Sequence, residues 1–275
     1  MRRGVHLASA ALWAASLLFA DASAAEPATD ATPQPARDLL ERAFSNRYDV
    51  DLTSVIELVV RNRGGQERRR TLQAMSKVID HRVHSIGRLV QPEHLRGMTV
   101  LTIEAADRSH DAFLYLPSLA LVRRVTTAQR GDSFFGTDVT YEDLERQRAD
   151  DYELGAITPG DRAGERVHLI EGRPRRQYNY DRVRFALAVS DLVILETEYY
   201  KRGAKEPYRV IRSERAAMVS QDGHTLPTHI VVEGRDRGTT TEVVLKSLRI
   251  NPEIDEKLFS VKTLQSQRPL PVKVR

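Results

Sequence analysis

Cysteine is absent from the 275-residue sequence, and this absence removes several classes of protein at once. The chain can form no disulfide, no thiolate nucleophile and no cysteine-based metal site. Attachment of a lipid through an N-terminal cysteine is excluded as well. Tryptophan is nearly absent too: the sequence has a single tryptophan, Trp13, close to the N-terminus. The sequence therefore predicts a disulfide-free protein that is not lipidated.

Long apolar runs are missing except near the N-terminus. Residues 1–24 begin with two arginines, continue as an apolar stretch over residues 7–20, and end in Ala-Ser-Ala at 22–24. A basic start, a short apolar middle and a small-residue exit predict a cleavable secretory signal peptide. An uncleaved anchor is the alternative, but the apolar stretch is short and alanine-rich for a membrane span. We therefore expect an exported protein that works in the bacterial periplasm.

Positive charge is only slightly in excess over negative charge. The formal net charge is +4, and the densest basic patches lie at residues 68–70 and 173–182. Nucleic-acid binding requires a basic face and usually a recognisable module, and the sequence has neither, so no nucleic-acid partner is expected. Solvated strand edges and turns explain the excess best. A docking patch for anionic lipid head groups or for an acidic partner is the alternative.

Alternation of apolar and polar residues dominates most of the chain and predicts a mainly β fold. Residues 25–35 are rich in proline, alanine and threonine, which predicts a flexible linker, and residues 36–44 place their apolar side chains on one side of a short helix. From there on, alternation and turn signals predict about ten to twelve antiparallel strands. A sheet of that size should curl. We predict one domain over residues 36–265 and a loose C-terminal tail over residues 266–275.

Several predicted strands are apolar on both faces, most clearly "MTVLTI" at 98–103 and "VSDLVIL" at 189–195. A strand with one face in water would alternate, so both faces of these strands need a cover. A helix inside the curled sheet would supply one cover, and a hydrophobic ligand could share that role. A plain two-layer core explains the same pattern, and the sequence leaves both interpretations open.

Candidate catalytic and metal-binding groups lack the spacing that their chemistry requires. The histidines form no H-E-x-x-H motif, and no serine lies in a G-x-S-x-G motif. Carboxylates are dense between residues 132 and 151, but arginines are interleaved with them, and Glu142 precedes Arg146 at the spacing of a helical ion pair. Salt-bridged structure is therefore favoured here, with a partner-docking surface, a hydrolytic site or a calcium site as alternatives. We predict no enzymatic activity, no metal and no cofactor.

One stretch carries motifs that point to a known family. A "YLP" strand is followed by two arginines, then by "SFFG", "YEDL" and "DDY". These motifs resemble those of the LolA-like outer-membrane lipoprotein-sorting proteins, in particular the branch found beside large exporters of the RND (resistance-nodulation-division) type. Phe113 stands where the family has a tryptophan or a similar aromatic residue, and Thr137 where it tends to have serine. We expect structural roles for the motif residues, which include Tyr115, Pro117, Arg123, Arg124, Ser133, Gly136, Asp138, Tyr141 and Asp143.

The resemblance implies an unclosed antiparallel β-barrel, that is, a half-pipe, with a short N-terminal helix and a small helical lid or insertion. Its interior would shelter acyl chains, so the implied function is a periplasmic carrier or chaperone that binds lipoproteins or lipids for transfer towards the outer membrane. The implied partners are this cargo, an inner-membrane exporter and an outer-membrane acceptor, with only peripheral membrane encounters. We expect the cavity to be lined by Ile56, Leu58, Val100, Leu114, Leu116, Phe134, Phe185, Leu187 and Leu195.

Two other functions stay open from the sequence. The chain could be an accessory module that docks on an RND-type exporter without carrying cargo, or a hydrolase that uses some of the clustered carboxylates. Phe134 is likewise open to two interpretations, a lid residue at one end of the half-pipe or an ordinary core residue.

Overall fold

The computed structural model describes residues 34–266 and 268–272. The predicted signal peptide, residues 1–24, and the part of the predicted linker up to residue 33 lie outside the described residues. Within the described part of the chain, no helix has both the length and the apolar character that crossing a bilayer requires.

The described residues form two α-helices and sixteen β-strands. The helices are α1 (Gln34–Tyr48) and α2 (Val261–Gln265). The strands are β1 (Leu52–Asn62), β2 (Glu67–Ile79), β3 (Arg82–Gln91), β4 (Thr99–Glu104), β5 (His110–Leu116), β6 (Leu121–Arg124), β7 (Tyr152–Leu154), β8 (Thr158–Arg162), β9 (Glu165–Pro174), β10 (Arg182–Ala188), β11 (Ile194–Tyr200), β12 (Arg209–Ser213), β13 (Met218–Gln221), β14 (His224–Pro227), β15 (His229–Gly234) and β16 (Thr239–Ile250).

Fourteen of these strands form one antiparallel sheet in the order β6-β5-β4-β3-β2-β1-β16-β15-β12-β11-β10-β9-β7, with β8 also paired to β9. Strands β13 and β14 form a separate hairpin. Because β6 and β7 at the two ends are not paired to each other, the sheet stays open. The sheet is curved, because side chains from β4 and β11, which are far apart in the strand order, line the same cavity, described below. The large, unclosed, mainly β fold that the sequence predicts is thus confirmed.

Two pieces of chain cover the inner face of the sheet. Helix α1 buries Ala36, Leu40, Ala43 and Phe44, whose spacing puts them on one side of a helix, against side chains of β7, β9, β10 and β11. The second piece, residues 127–145, which we call the cover segment, contains a series of short 3₁₀ turns. It buries Phe134, Phe135 and Tyr141 against β1, β2, β4 and β5.

The outer face of β1 to β5 is covered by the C-terminal part of the chain. Side chains from residues 254–272 pack there against Val55, Ile86 and Leu101. Residues 268–272 are therefore packed and not loose, contrary to the predicted tail: Leu270 is buried, and its backbone N–H donates to Gln73 Oε1 at 3.0 Å. This explains why "MTVLTI" has apolar side chains on both faces: Val100 packs with the cover segment, and Leu101 packs with the C-terminal residues.

The second doubly apolar stretch, "VSDLVIL", has another explanation. Strand β10 ends at Ala188 and β11 begins at Ile194, so residues 189–193 form the hairpin turn between them. Leu192 adopts a left-handed backbone conformation there, with φ of 59°. The apolar run therefore spans a turn and is not a single strand with two covered faces.

Candidate ligand-binding cavity

A cavity of about 330 Å³ lies between the inner face of the sheet, α1 and the cover segment. This volume is at the lower end of the range of roughly 300–1,000 Å³ that small-molecule sites occupy. Its floor is the inner face of β1, β2, β15 and β16, where cross-strand partners such as Ile56, Leu72 and Leu245 lie side by side. Most of the lining side chains are aliphatic, so the cavity favours an apolar occupant.

Four of the nine side chains expected at the cavity line it: Ile56, Leu58, Val100 and Phe134. Leu114 and Leu116 do not. Leu114 pairs across the sheet with Val100, but the cover segment packs directly on it, so it contacts Phe134 and Phe135 and not the open space. Leu116 packs against the same cluster.

The remaining three expected lining residues are packed in other parts of the core. Phe185 and Leu187 lie beneath α1, and the Phe185 ring meets the Phe44 ring edge-on at 5.6 Å between centroids. Leu195 belongs to a third cluster, with Val167 and Ala186. Helix α1 therefore occupies the part of the half-pipe in which Phe185 and Leu187 were expected to contact a ligand, whereas Leu195 packs with side chains of β9 and β10 away from α1.

Several cavity residues were not anticipated from the sequence. They are Arg47 and Tyr48 at the end of α1 and a row of aliphatic side chains on the central strands, which includes Ile230, Val243 and Leu245. The alternation within "TTTEVVLKSLRI" could have identified Val243 and Leu245, since both lie on the same face as Ile56 and Leu58. No pattern in the sequence marks Arg47.

An ion pair buried from solvent ties the cover segment to β12. Arg209 donates through Nη2 to Asp143 Oδ1 at 2.8 Å and through Nη1 to Asp143 Oδ2, and its guanidinium lies 4.2 Å from the centre of the Tyr199 ring. The side chains of Arg209 and Asp143 are only 2% and 7% exposed. Burial alone would raise the pKa of Asp143, but the charge of Arg209 and the hydrogen bonds from Arg209 and Thr140 together outweigh burial and lower the pKa. The pair therefore stays ionised and holds the cover closed.

A second tie joins the cover segment to the hairpin between β15 and β16. The carboxylate of Asp138 accepts a hydrogen bond from the Thr241 hydroxyl at 2.8 Å and pairs with Arg237 Nη2 at 2.9 Å. The backbone N–H of Asp138 also donates to Thr241 Oγ1, at 2.9 Å. Asp138 and Asp143 thus both act as structural acceptors.

Burial shifts the pKa values of two further ionisable groups towards their neutral forms. Burial raises the pKa of Glu142 to about 7, and its Oε1 is buried with no hydrogen-bond partner among the described residues. Burial also lowers the pKa of His110 to about 4. A neutral His110 fits the hydrogen bonds, because its Nε2 accepts from the backbone N–H of Arg146 at 3.1 Å.

The remaining motif residues make local contacts. Pro117 begins a 3₁₀ turn, Arg123 and Arg124 are exposed, and Tyr115 is buried on the outer face of the sheet. The Ser133 hydroxyl donates to the carbonyl of Thr137, and the Tyr141 ring meets the Phe134 ring edge-on at 5.8 Å. The last two contacts lie within the cover segment and shape its chain.

Gly136 is required for its backbone and for the space around it. Its φ is 68°, and a Cβ there would come within 3.3 Å of Arg70 Nη2. Arg70 lies on β2 opposite Leu58, and its Nε and Nη1 are buried without a hydrogen-bond partner among the described residues. Burial lowers the pKa of Arg70, and the charge of Arg68 adds to the effect.

Several carboxylates between residues 132 and 151 are held in ion pairs. Besides the pairs of Asp138 and Asp143, Glu145 is held by Arg130, and Asp150 by Arg37. Within residues 34–266 and 268–272, no three His, Asp or Glu side chains are grouped in a way that could hold a metal ion.

Comparisons with known proteins give both a family and a fold. A family model described as an uncharacterized protein matches residues 82–266, about two thirds of the chain. No curated protein sequence matches the chain at a significant level.

Among solved structures, a DUF1329 family protein from Desulfovibrio piger has a TM-score of 0.77 and 20% identity, with 85% of this chain and 99% of that chain covered. A candidate outer membrane lipoprotein-sorting protein domain from Vibrio parahaemolyticus has a TM-score of 0.76 and 20% identity, with 84% and 100% covered. A LolA superfamily protein from Nitrosomonas europaea has a TM-score of 0.64 and 19% identity, with 82% and 97% covered. The chain therefore belongs to the family of the matching model, and these structures show that its fold is LolA-like.

Proposed function

We propose that this protein is a periplasmic carrier that shelters the acyl chains of lipids or lipoproteins and hands them on towards the outer membrane. The observation that carries the proposal is the cavity of about 330 Å³, lined mainly by aliphatic side chains and bounded by two separate covers. The fold shared with a candidate lipoprotein-sorting domain and with a LolA superfamily protein supports the same interpretation.

Apolar burial supplies the binding energy in this proposal. Each methylene removed from water contributes about 0.8 kcal/mol. Part of one acyl chain would then gain roughly 5–10 kcal/mol before the loss of motion is subtracted. No single side chain has to be decisive, which is consistent with a protein that binds and releases cargo without a chemical step. We accordingly propose that it is not an enzyme.

Uptake and release require one of the covers to move, as lids do in other binding proteins. The cover segment is the better candidate, because polar ties at Asp138 and Asp143 hold it to the sheet. Opening of the cover segment would break these ties and lift Phe134, Phe135 and Tyr141 from the sheet. Helix α1, by contrast, is anchored through Phe44 in the largest apolar cluster of the described residues. An inner-membrane exporter as donor and an outer-membrane protein as acceptor complete the proposal.

Bound lipid in protein from the periplasm tests this proposal. The wild type, Ala74→Phe and Ala106→Phe would be purified from periplasm, extracted with organic solvent and analysed by mass spectrometry. Ala74 lines the cavity, whereas Ala106 is exposed in a turn and serves as the matched control.

Near-stoichiometric acyl species are expected in the wild type and the control, and much less in Ala74→Phe, whose new ring fills the cavity. Wild-type protein that is free of lipid, and takes up none when it is offered, would contradict the proposal. Equal lipid in all three proteins would place the binding elsewhere.

A further inference from the structure

Arg47 is a cation on the wall of a mainly aliphatic cavity. It belongs to the last turn of α1, lines the cavity and is accessible to solvent. Among the described residues, no group hydrogen-bonds to the guanidinium and no carboxylate lies within ion-pair distance of it. Its nearest aromatic neighbour is Tyr48, whose ring centre lies 5.2 Å from the guanidinium carbon.

The cavity compensates the charge of Arg47 only in part, through the more distant attraction of Asp143. Asp143 is the one other charged residue among those lining it in the described part of the chain, and both of its oxygens are bound by Arg209. One oxygen also accepts from the Thr140 hydroxyl at 2.8 Å. Among the described residues that line the cavity, Arg47 is therefore the cation whose hydrogen-bond donors are not taken up by another side chain.

The position of Arg47 in its helix does not by itself explain this arrangement. A cation in the last turn interacts favourably with the helix dipole. That interaction would persist with the side chain turned towards bulk water. A guanidinium beside an apolar cavity is instead suited to an amphiphile, because its planar donors match the oxygens of a carboxylate or a phosphate.

We propose that the cargo is an acyl lipid with an anionic oxygen head group, a carboxylate or a phosphate, which pairs with Arg47 while its chain fills the cavity. This inference rests on the proposed function, since it assigns the head group of the same cargo. It further specifies that the head group lies at the C-terminal end of α1. A neutral ester of the same chain satisfies the cavity but leaves Arg47 unpaired.

A pair of ligands that differ in charge alone tests the inference. The probes are a conjugated-tetraene C18 fatty acid, which fluoresces when its chain leaves water, and the methyl ester of that acid. Each would be titrated into the wild type, Arg47→Gln, Arg47→Lys and Arg42→Gln. Arg42 is an exposed arginine of the same helix that does not line the cavity, and it provides the matched control. Hexadecanoate and hexadecyl phosphate would then compete with the acid probe, to distinguish the two head groups.

We expect the wild type and Arg42→Gln to bind the acid about tenfold more tightly than the ester, the ratio expected for one hydrogen-bonded charge. Arg47→Gln should lose this preference because its affinity for the acid falls towards that for the ester, and Arg47→Lys should retain part of the preference. The stronger competitor on the wild type identifies the preferred oxyanion, and its advantage should fall in Arg47→Gln.

Two results would overturn the inference in distinguishable ways. If the wild type binds acid and ester equally, the head-group assignment is wrong while the acyl-binding function stands. If the wild type binds neither, the proposed function itself fails. The wild-type comparison requires no variant to fold. If Arg47→Gln keeps the full preference for the acid, another group recognises the charge and Arg47 does not.

Discussion

The strongest perturbation that the structure offers is removal of one partner from the Arg209–Asp143 pair. Asp143→Asn keeps the volume of the side chain but removes the charge that compensates Arg209, whose side chain is only 2% exposed. A buried ion pair that loses one partner typically costs about 3–5 kcal/mol, because the remaining charge stays out of water. The hydrogen bond from the backbone N–H of Thr140 to Asp143 Oδ2, 2.8 Å long, weakens when the carboxylate becomes an amide. We expect a loss of about 3 kcal/mol.

Urea unfolding measures the global effect, and hydrogen exchange locates it. Amides in residues 139–145 should exchange faster in Asp143→Asn than in the wild type, since this variant loosens the cover segment first. The control is Asp181→Asn, which disrupts an exposed pair with Arg202, 92% exposed, and should cost under about 1 kcal/mol. The double variant Asp143→Leu/Arg209→Met should recover most of the stability, as buried pairs replaced by apolar groups often do. A loss in Asp143→Asn no larger than in the control would refute the reasoning.

Three further predictions concern buried groups. The pKa of Glu142 is raised from its ordinary value of 4.5 to about 7, so its contribution to stability is fully present below pH 4.5 and is lost as the pH rises through 7. Glu142→Gln should therefore be about 3 kcal/mol more stable than the wild type at pH 8. If the free energies of unfolding of the variant and the wild type change in parallel between pH 4 and 8, the prediction is wrong. Arg70→Met should raise the free energy of unfolding by about 1–3 kcal/mol, because it removes a buried guanidinium with unpaired nitrogens. The control Arg69→Met, at an exposed position, should change the free energy of unfolding little. A loss of stability in Arg70→Met would show that Arg70 has an unrecognised partner. Phe44→Ala should cost about 3–5 kcal/mol in urea unfolding, since the ring is 2% exposed, and a small cost would mean that α1 is not anchored as described.

The sheet was predictable because local chemistry determines it. Alternation in "SVIELVVRN" marks β1, and the glycines at residues 64 and 65 mark the turn to β2. The end of α1 was less predictable. The apolar face of the helix stops at Phe44, whereas the helix runs on to Tyr48 through a polar last turn that carries no hydrophobic signal.

The walls of the cavity were only partly predictable, and the reason is physical. Alternation shows which strand residues face inward, but it cannot show what covers them. Phe185 faces the same side of the sheet as the cavity residue Thr197, with which it pairs, yet α1 packs on it. The tie between Asp143 and Arg209 joins residues 66 positions apart, and no local pattern connects them. Contacts of that kind depend on the folded topology.

The central claim, that an acyl chain occupies the cavity, is tested most directly by nuclear magnetic resonance with a fatty acid carrying a nitroxide at its terminal carbon. The paramagnetic label broadens methyl signals close to it. The account predicts broadening of the methyl signals of Ile230, Val243 and Leu245, which line the cavity, and unchanged signals from Leu264 and Leu270 on the outer face. Absence of broadening at saturating ligand, or broadening centred on the outer face, would contradict it.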